Sequence, residues 1–202
     1  MWGLIVKDLK NLKTQAKLFL VIAAVYLLFG IQSGNFMMLG GFAILLAAIL
    51  PVTALAYDER SKWERYALTM PVTRTQLVLS KYLLGLLLSG GVTVVIVIAQ
   101  SFMVEFKEAL LSTLMLFGVG LFLSAILLPI TLKLGTEKAR ILFLLIFALP
   151  VLCGFLLAKA QLRLPPLTIS PALLAGIGIA ALLLIYGVSV VISVKIYRKK
   201  EW

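Results

Sequence analysis

The side chains best equipped for specific interactions are concentrated in one short segment of the chain. It opens with Asp58-Glu59-Arg60-Ser61-Lys62-Trp63-Glu64-Arg65, which places three acids and three bases in eight residues around a tryptophan. These residue types bind a partner through ion pairs and an aromatic anchor, because aromatic residues are common hot spots of protein interfaces. The candidate partner-binding residues are Glu59, Trp63, Glu64, Arg65, Tyr66, Pro71 and Arg74.

Catalytic chemistry has few candidates in this chain. The sequence contains no histidine, and its single cysteine, Cys153, lies in an apolar run. A disulfide, a Cys/His zinc site and a histidine-based triad are therefore excluded. The G-x-x-x-x-G-K-[ST] motif that binds ATP is also absent. We expect no catalytic, cofactor-binding or metal-binding residue here.

Long uncharged runs must position this segment. Leu18 to Tyr57 is 40 residues without an Asp, Glu, Lys or Arg. A bilayer core needs roughly 20 apolar residues per helix, so this run predicts two spans separated by a turn. The same count along the chain predicts six spans, at about 18–31, 36–57, 82–104, 109–132, 141–158 and 171–194. We therefore predict an all-α membrane protein with one six-span domain, 18–202, after an amphipathic helix, 1–17.

The basic residues are distributed unequally between the two sides of this predicted membrane. Sixteen of the 19 precede the first span, follow the sixth, or lie between spans two and three or four and five. The other side carries only Lys107, Lys159 and Arg163. Lys and Arg near span ends stay cytosolic, so both termini are predicted to face the cytosol. The net charge of +11 then indicates orientation and attraction to anionic lipid rather than nucleic-acid binding.

The first 17 residues have the pattern of a helix that lies along the membrane surface. Trp2, Ile5, Leu9 and Leu12 recur at spacings of three and four, with lysines beside them. An apolar stripe led by tryptophan and flanked by lysines is typical of an interfacial helix. The alternative is an ordinary basic leader that orients the first span, and the two readings are compatible.

Between spans two and three, the sequence predicts a helical elbow that protrudes into the cytosol. Trp63, Tyr66, Ala67 and Met70 form an apolar stripe of helical spacing, which Pro71 should end. Thr73-Arg74-Thr75-Gln76 matches a capping box, so a new helix should start there and continue into the third span. A solvated loop that merely holds charges in the cytosol is the alternative.

Inside the spans, small residues and prolines mark where helices can approach or bend. We predict that Gly40, Ala43, Ala47, Pro51 and Pro150 line or border a central path, with Gln100 as a candidate polar lining group. Plain packing within one chain is the alternative for the small residues. The predicted spans carry no acid or base away from their ends. This disfavours an ion-coupled carrier, which usually places such groups at mid-membrane.

The elbow resembles small bacterial type-2 ABC-transporter permeases. The resemblance rests on Asp58-Glu59-Arg60-Ser61-Lys62-Trp63-Glu64-Arg65-Tyr66, then Met70-Pro71-Val72-Thr73-Arg74, then Leu79-Ser80-Lys81-Tyr82-Leu83, and on the overall length and span pattern. Met70 stands where that family more often has leucine. Within the family, the chain looks most like permeases that export amphipathic peptide toxins such as phenol-soluble modulins.

The resemblance implies a permease in a bacterial plasma membrane that exports amphipathic or hydrophobic substrates, peptides among them. It implies a pair of permeases above two separate ATPase subunits, which would bind the ATP and magnesium. The elbow would be the coupling helix, and residues 1–17 the connecting helix beside it. The competing hypothesis is a membrane scaffold or an immunity protein that transports nothing.

Overall fold

The chain folds into long helices in a computed structural model. The structure describes residues 2–13, 21–22, 25, 36–67, 69–102, 104–139, 141–142, 145, 148 and 171–199. The helices are α1 (2–13), α2 (Phe36–Arg60), α3 (Trp63–Ala67), α4 (Arg74–Ser101), α5 (Phe106–Leu134) and α6 (Pro171–Lys199), with a helical turn at 136–139. Within those ranges there is no β-strand, which agrees with the predicted all-α class.

Among the residues that the structure describes, four helices are long and apolar enough to cross a membrane. They contain Gly40–Arg60, Arg74–Ser101, Phe106–Leu134 and Gly178–Lys199. These segments coincide with the predicted second, third, fourth and sixth spans. The predicted spans 18–31 and 141–158 lie almost entirely outside the described residues, and Pro150 with them. The chain is therefore a membrane-embedded helical protein.

The start of α4 confirms the predicted capping box. The Thr73 hydroxyl accepts a hydrogen bond from the backbone N–H of Gln76 at 3.3 Å, and the Gln76 side chain accepts one from the Thr73 N–H at 3.0 Å. Two N–H groups that the first helical turn leaves unpaired are thereby satisfied. As predicted, α4 then continues without a break into the membrane-spanning segment.

The helix of the elbow is shorter than its apolar stripe predicts. α3 ends at Ala67, and Met70 lies in a turn closed by a bond from its N–H to the Ala67 carbonyl at 3.2 Å. The stripe expected to run from Trp63 to Met70 is therefore helical only in its first part. Pro71 explains the difference, because its ring disfavours the helical conformation at Met70.

α2 packs between α4 and α5, and small residues allow the close approach. A Cβ atom on Gly85 of α4 would lie 3.0 Å from the Pro51 ring, and one on Gly120 of α5 would lie 2.8 Å from Ile44. α6 packs on α5 and α4 but leaves most of its surface outside, including Leu183 and Leu184. Such an apolar outer surface is what a lipid-facing helix presents.

Candidate coupling site

Four segments far apart in sequence meet at one end of the helix bundle. They are α1, the elbow (58–74), the turn after α5 (135–139) and the C-terminal end of α6. We call this the charged end. These are the segments that the alternation of predicted spans assigns to a single side of the membrane. The contacts among them build the site.

At its centre is a buried ionic cluster of Lys7, Asp8, Asp58 and Lys81. The Lys81 ammonium lies 2.7 Å from an Asp8 oxygen and 2.6 Å from an Asp58 oxygen, and Lys7 reaches the other oxygen of each carboxylate at 3.1 and 2.5 Å. The side chains of Asp8, Asp58 and Lys81 are 1%, 5% and 6% exposed. Buried charges are tolerated only when paired. This neutral ring therefore ties α1 to the end of α2 and the start of α4.

The ionic cluster sets which face of α1 turns inward. Ile5 and Leu12 are 2% and 6% exposed and pack with Ala54 and Leu84, whereas Trp2 and Leu9 are 71% and 42% exposed. The stripe predicted as one apolar face is thus divided between the bundle and the outside. Asp8 lies between Ile5 and Leu12 on the buried face, where Lys81 holds it.

Trp63 links the elbow to this cluster. Its side chain packs on the core residues around Tyr82, and the Lys7 ammonium lies 4.5 Å from the centre of its ring. A cation at this distance over tryptophan is attracted by the ring electrons. The neighbouring Tyr66 ring, centred 5.4 Å from that of Trp63, is 58% exposed. Of the two predicted aromatic anchors, Trp63 faces the protein and Tyr66 faces outward.

Glu59, a predicted partner contact, holds another part of the same chain. Its carboxylate accepts hydrogen bonds from the Thr136 N–H at 2.9 Å and the Thr136 hydroxyl at 2.6 Å. The preceding Gly135 has φ +83°, and a Cβ there would lie 2.9 Å from a Glu59 oxygen. The turn after α5 is therefore fastened to the end of α2, and it requires glycine.

Arg74 fastens the end of α6. Its guanidinium donates to the Arg198 carbonyl at 2.7 Å, and the Arg198 guanidinium donates to the Thr75 hydroxyl at 3.2 Å. Pro71 is exposed at the turn between α3 and α4. The backbones of Glu64 and Arg65 lie in α3, and their side chains fall outside the description. The predicted role of these residues as ATPase contacts stays a prediction.

Residues 3–198 match the family model described as ABC-2 family transporter protein. The chain belongs to the ABC-2 transporter family. No curated protein matches it. As a member of this family, the ABC-2 protein is a membrane transport component. Members of the family act together with an ABC ATPase subunit.

The predicted path residues of the ABC-2 protein pack between its own helices. Ala47 and Gln100 are 1% and 5% exposed, and Gly40 approaches the Gln100 amide so closely that a Cβ would lie 3.3 Å from its nitrogen. The Gln100 oxygen accepts a hydrogen bond from the Thr113 hydroxyl at 3.0 Å. Pro51 is buried and Ala43 half-buried. A path would form only in the assembled transporter, so the role of these residues beside it stays a prediction.

Half of the ionic cluster is not among the candidate residues that the sequence indicates. Asp8 is not among the candidate residues of the sequence, and Lys81 is there only as a cytosolic base and as part of the family motif. The signal was present, since Asp8 lies three residues after Ile5 and four before Leu12, inside an apolar stripe. An acid in such a position needs a buried cation. Among the described residues, no group of three or more potential metal ligands occurs.

Proposed function

We propose that this ABC-2 protein is the permease subunit of an ATP-driven exporter in a bacterial plasma membrane. It would span the membrane six times with both termini in the cytosol, and a pair of copies would associate with two ATPase subunits. Its substrates would be amphipathic or hydrophobic molecules, peptides among them. The observation that carries the proposal is the elbow of this family member, where Trp63 contacts both the core and the buried ionic cluster while Tyr66 is exposed.

The ionic cluster gives the elbow a means of passing on movement. Separating a buried ion pair costs several kcal/mol, so Lys7, Asp8, Asp58 and Lys81 behave as a rigid connection. A push on α3 reaches Trp63, and Trp63 contacts Lys7. Force applied by an ATPase at the elbow would therefore act on α1, α2 and α4 together. ATP hydrolysis must change the arrangement of the spans from the side of the ATPase, and the contact from α3 through Trp63 to the ionic cluster would transmit that change.

The predicted path also belongs to this proposal. In a pair of permeases, Gly40, Ala43, Ala47 and Pro51 of α2, with Gln100 of α4 and Pro150, would border the central cavity. The burial of several of these residues within one chain means that the helices must separate before their side chains reach a substrate. Crosslinking between copies, with single cysteines on each helix, tests which surfaces face the partner.

The decisive experiment is co-purification of the ATPase with elbow variants. Tyr66→Ala removes an exposed ring, so the fold should persist, while Trp63→Ala also removes core packing. Losing an interface anchor typically costs about 2 kcal/mol or more, roughly thirtyfold in affinity. We expect both variants to retain little ATPase and to lose substrate-stimulated ATP hydrolysis.

The matched control is Lys107→Ala, an exposed substitution at the start of α5, away from the charged end. It should retain the ATPase at the wild-type level. Normal ATPase binding and export by Tyr66→Ala and a folded Trp63→Ala would show that the elbow is not the coupling site. If the wild-type chain bound no ATPase and exported nothing, the scaffold or immunity hypothesis would be favoured instead.

A further inference from the structure

The acids whose side chains the structure describes at the charged end each interact within the chain. Asp8 and Asp58 are 1% and 4% exposed and belong to the ionic cluster. The Glu59 carboxylate binds Thr136, and Glu137 also interacts within the chain. Each carboxylate whose contacts the structure describes at this end therefore has a partner within the chain, and Glu59 and Glu137 remain exposed at the surface.

The bases divide into two groups. Lys7 and Lys81 neutralise the ionic cluster, and Arg74 binds the Arg198 carbonyl. Arg60 and Lys62, by contrast, are exposed at the tip between α2 and α3 and make no ion pair with any described residue. The elbow also contains Glu64 and Arg65, whose formal charges cancel. The outward charge of the elbow is therefore positive.

The Glu59–Thr136 contact enlarges this positive surface. It holds the turn after α5 against the end of α2, one residue before Arg60. Lys133 and Lys138 flank that turn, and both are exposed. The two loops together present four cations, Arg60, Lys62, Lys133 and Lys138, which we call the basic face. Thus the contact of Glu59 with Thr136 brings the bases of two loops close to each other.

We propose that the basic face docks onto a carboxylate-rich surface of the ATPase subunit. This inference rests on the proposed function and adds the charge of the partner's surface to it. The preference of Lys and Arg for the cytosolic side explains why bases lie at this end, but not why each described acid is engaged within the chain. Complementary charge on the two proteins would speed their association and make it sensitive to salt.

Anionic lipid is the competing partner for these cations, and α1 suits it better. Lys10 and Lys13 are exposed on the same helix as the exposed side chains of Trp2 and Leu9. Lipid binding at an interface requires this combination of bases and apolar side chains. In the two loops of the basic face, four exposed cations accompany one exposed large apolar side chain, Leu134. We therefore assign the basic face to protein and the exposed part of α1 to lipid.

The test compares two double charge reversals of equal size. Arg60→Glu with Lys62→Glu changes the basic face, and Lys10→Glu with Lys13→Glu makes the same change on α1. Each full-length permease is reconstituted in nanodiscs of zwitterionic lipid, and its affinity for the purified ATPase subunit is measured at rising salt. Wild-type affinity should fall as salt rises, because the screening length shrinks from about 10 Å at 0.1 M to about 3 Å at 1 M.

We expect the basic-face reversal to weaken ATPase binding at least about tenfold at low salt, since like charges repel across an interface. The α1 reversal should bind as the wild type does. The neutral variant Arg60→Gln with Lys62→Gln should bind with reduced salt dependence, and reversing carboxylates on the ATPase should restore affinity to the Glu variant.

Equal binding by wild type and the basic-face reversal would overturn the proposal, as would equal losses in both reversals. A loss seen only in nanodiscs that contain anionic lipid would assign the basic face to lipid instead. Failure of the proposed function is distinguishable, because then the wild-type permease would not bind the ATPase at any salt concentration.

Discussion

At the residue scale, the most consequential feature is a buried charge that depends on its partners. Lys81 contacts two carboxylates and is 5% exposed. Replacing it with methionine leaves Asp8 and Asp58 sharing Lys7 alone. Breaking a buried pair in this way typically costs about 3–5 kcal/mol, because a charge stays buried without compensation. We therefore predict a large drop in the thermal unfolding temperature of Lys81→Met in detergent.

A second change separates lost charge from lost packing. Combining Lys81→Met with Asp8→Asn removes one charge of each sign and leaves Lys7 with Asp58. The double variant should be more stable than Lys81→Met alone, although it carries one substitution more. Lys107→Met, exposed at the start of α5, is the control and should unfold as the wild type does. Additive losses in the double variant would show that the cluster is not a coupled unit.

Gly135 offers a second prediction at this scale. Its φ of +83° with ψ of 167° suits glycine almost exclusively, and an added Cβ would meet Glu59 at 2.9 Å. Gly135→Ala should destabilise the protein by about 1–3 kcal/mol and loosen the 135–139 turn. Limited proteolysis of that turn and thermal unfolding would measure both effects.

The control for Gly135 lies within a helix. A Cβ on Gly90 of α4 would meet nothing within 4 Å, and alanine is favoured over glycine there by about 1 kcal/mol. Gly90→Ala should therefore leave stability unchanged or raise it. If Gly135→Ala were equally harmless, the Glu59–Thr136 contact would not constrain the turn as described.

At the scale of elements, local sequence signals predicted helix positions well and helix faces less well. The capping box at Thr73 and the apolar lengths of α2, α4, α5 and α6 depend on neighbouring residues, so the sequence was sufficient to place them. The rotation of α1 could not be predicted from its own sequence, because it depends on Lys81, 73 positions away from Asp8. The division of roles between Trp63 and Tyr66 likewise depends on tertiary contacts.

The capping box supports a prediction for the start of α4. Thr73→Ala removes the hydroxyl that accepts from the Gln76 N–H, which typically costs about 1 kcal/mol. The first turn of α4 should fray, and the Arg74 contact with α6 should weaken with it. Hydrogen exchange should rise at residues 74–77. Thr73→Ser keeps the hydroxyl and should retain wild-type exchange. Equal exchange in both variants would show that the Thr73 hydroxyl does not stabilise the first turn of α4.

At the scale of the whole molecule, long-range contacts and the charge pattern lead to the same arrangement. The Glu59–Thr136 and Arg74–Arg198 bonds hold at one end the segments that the sequence predicts to be cytosolic. Neither bond could be foreseen, because each joins positions more than 70 residues apart. The path for the substrate is the part that a single chain leaves open, since it would form between two copies.

The final prediction concerns which end faces the cytosol. Lys107 opens α5 and Lys138 follows it, so the two positions lie at opposite ends of one helix of 29 residues. Lys62 should share the side of Lys138, because the Glu59–Thr136 contact joins their segments. In a variant whose Cys153 is replaced, single cysteines are placed at 62, 107, 138 and 163 and labelled from outside intact cells. The excess of basic residues predicts labelling at 107 and 163, with 62 and 138 protected until the membrane is opened. Labelling of 62 in intact cells would contradict the predicted orientation. Labelling of 62 without 138 would show that the two segments of the charged end do not lie on the same side of the membrane.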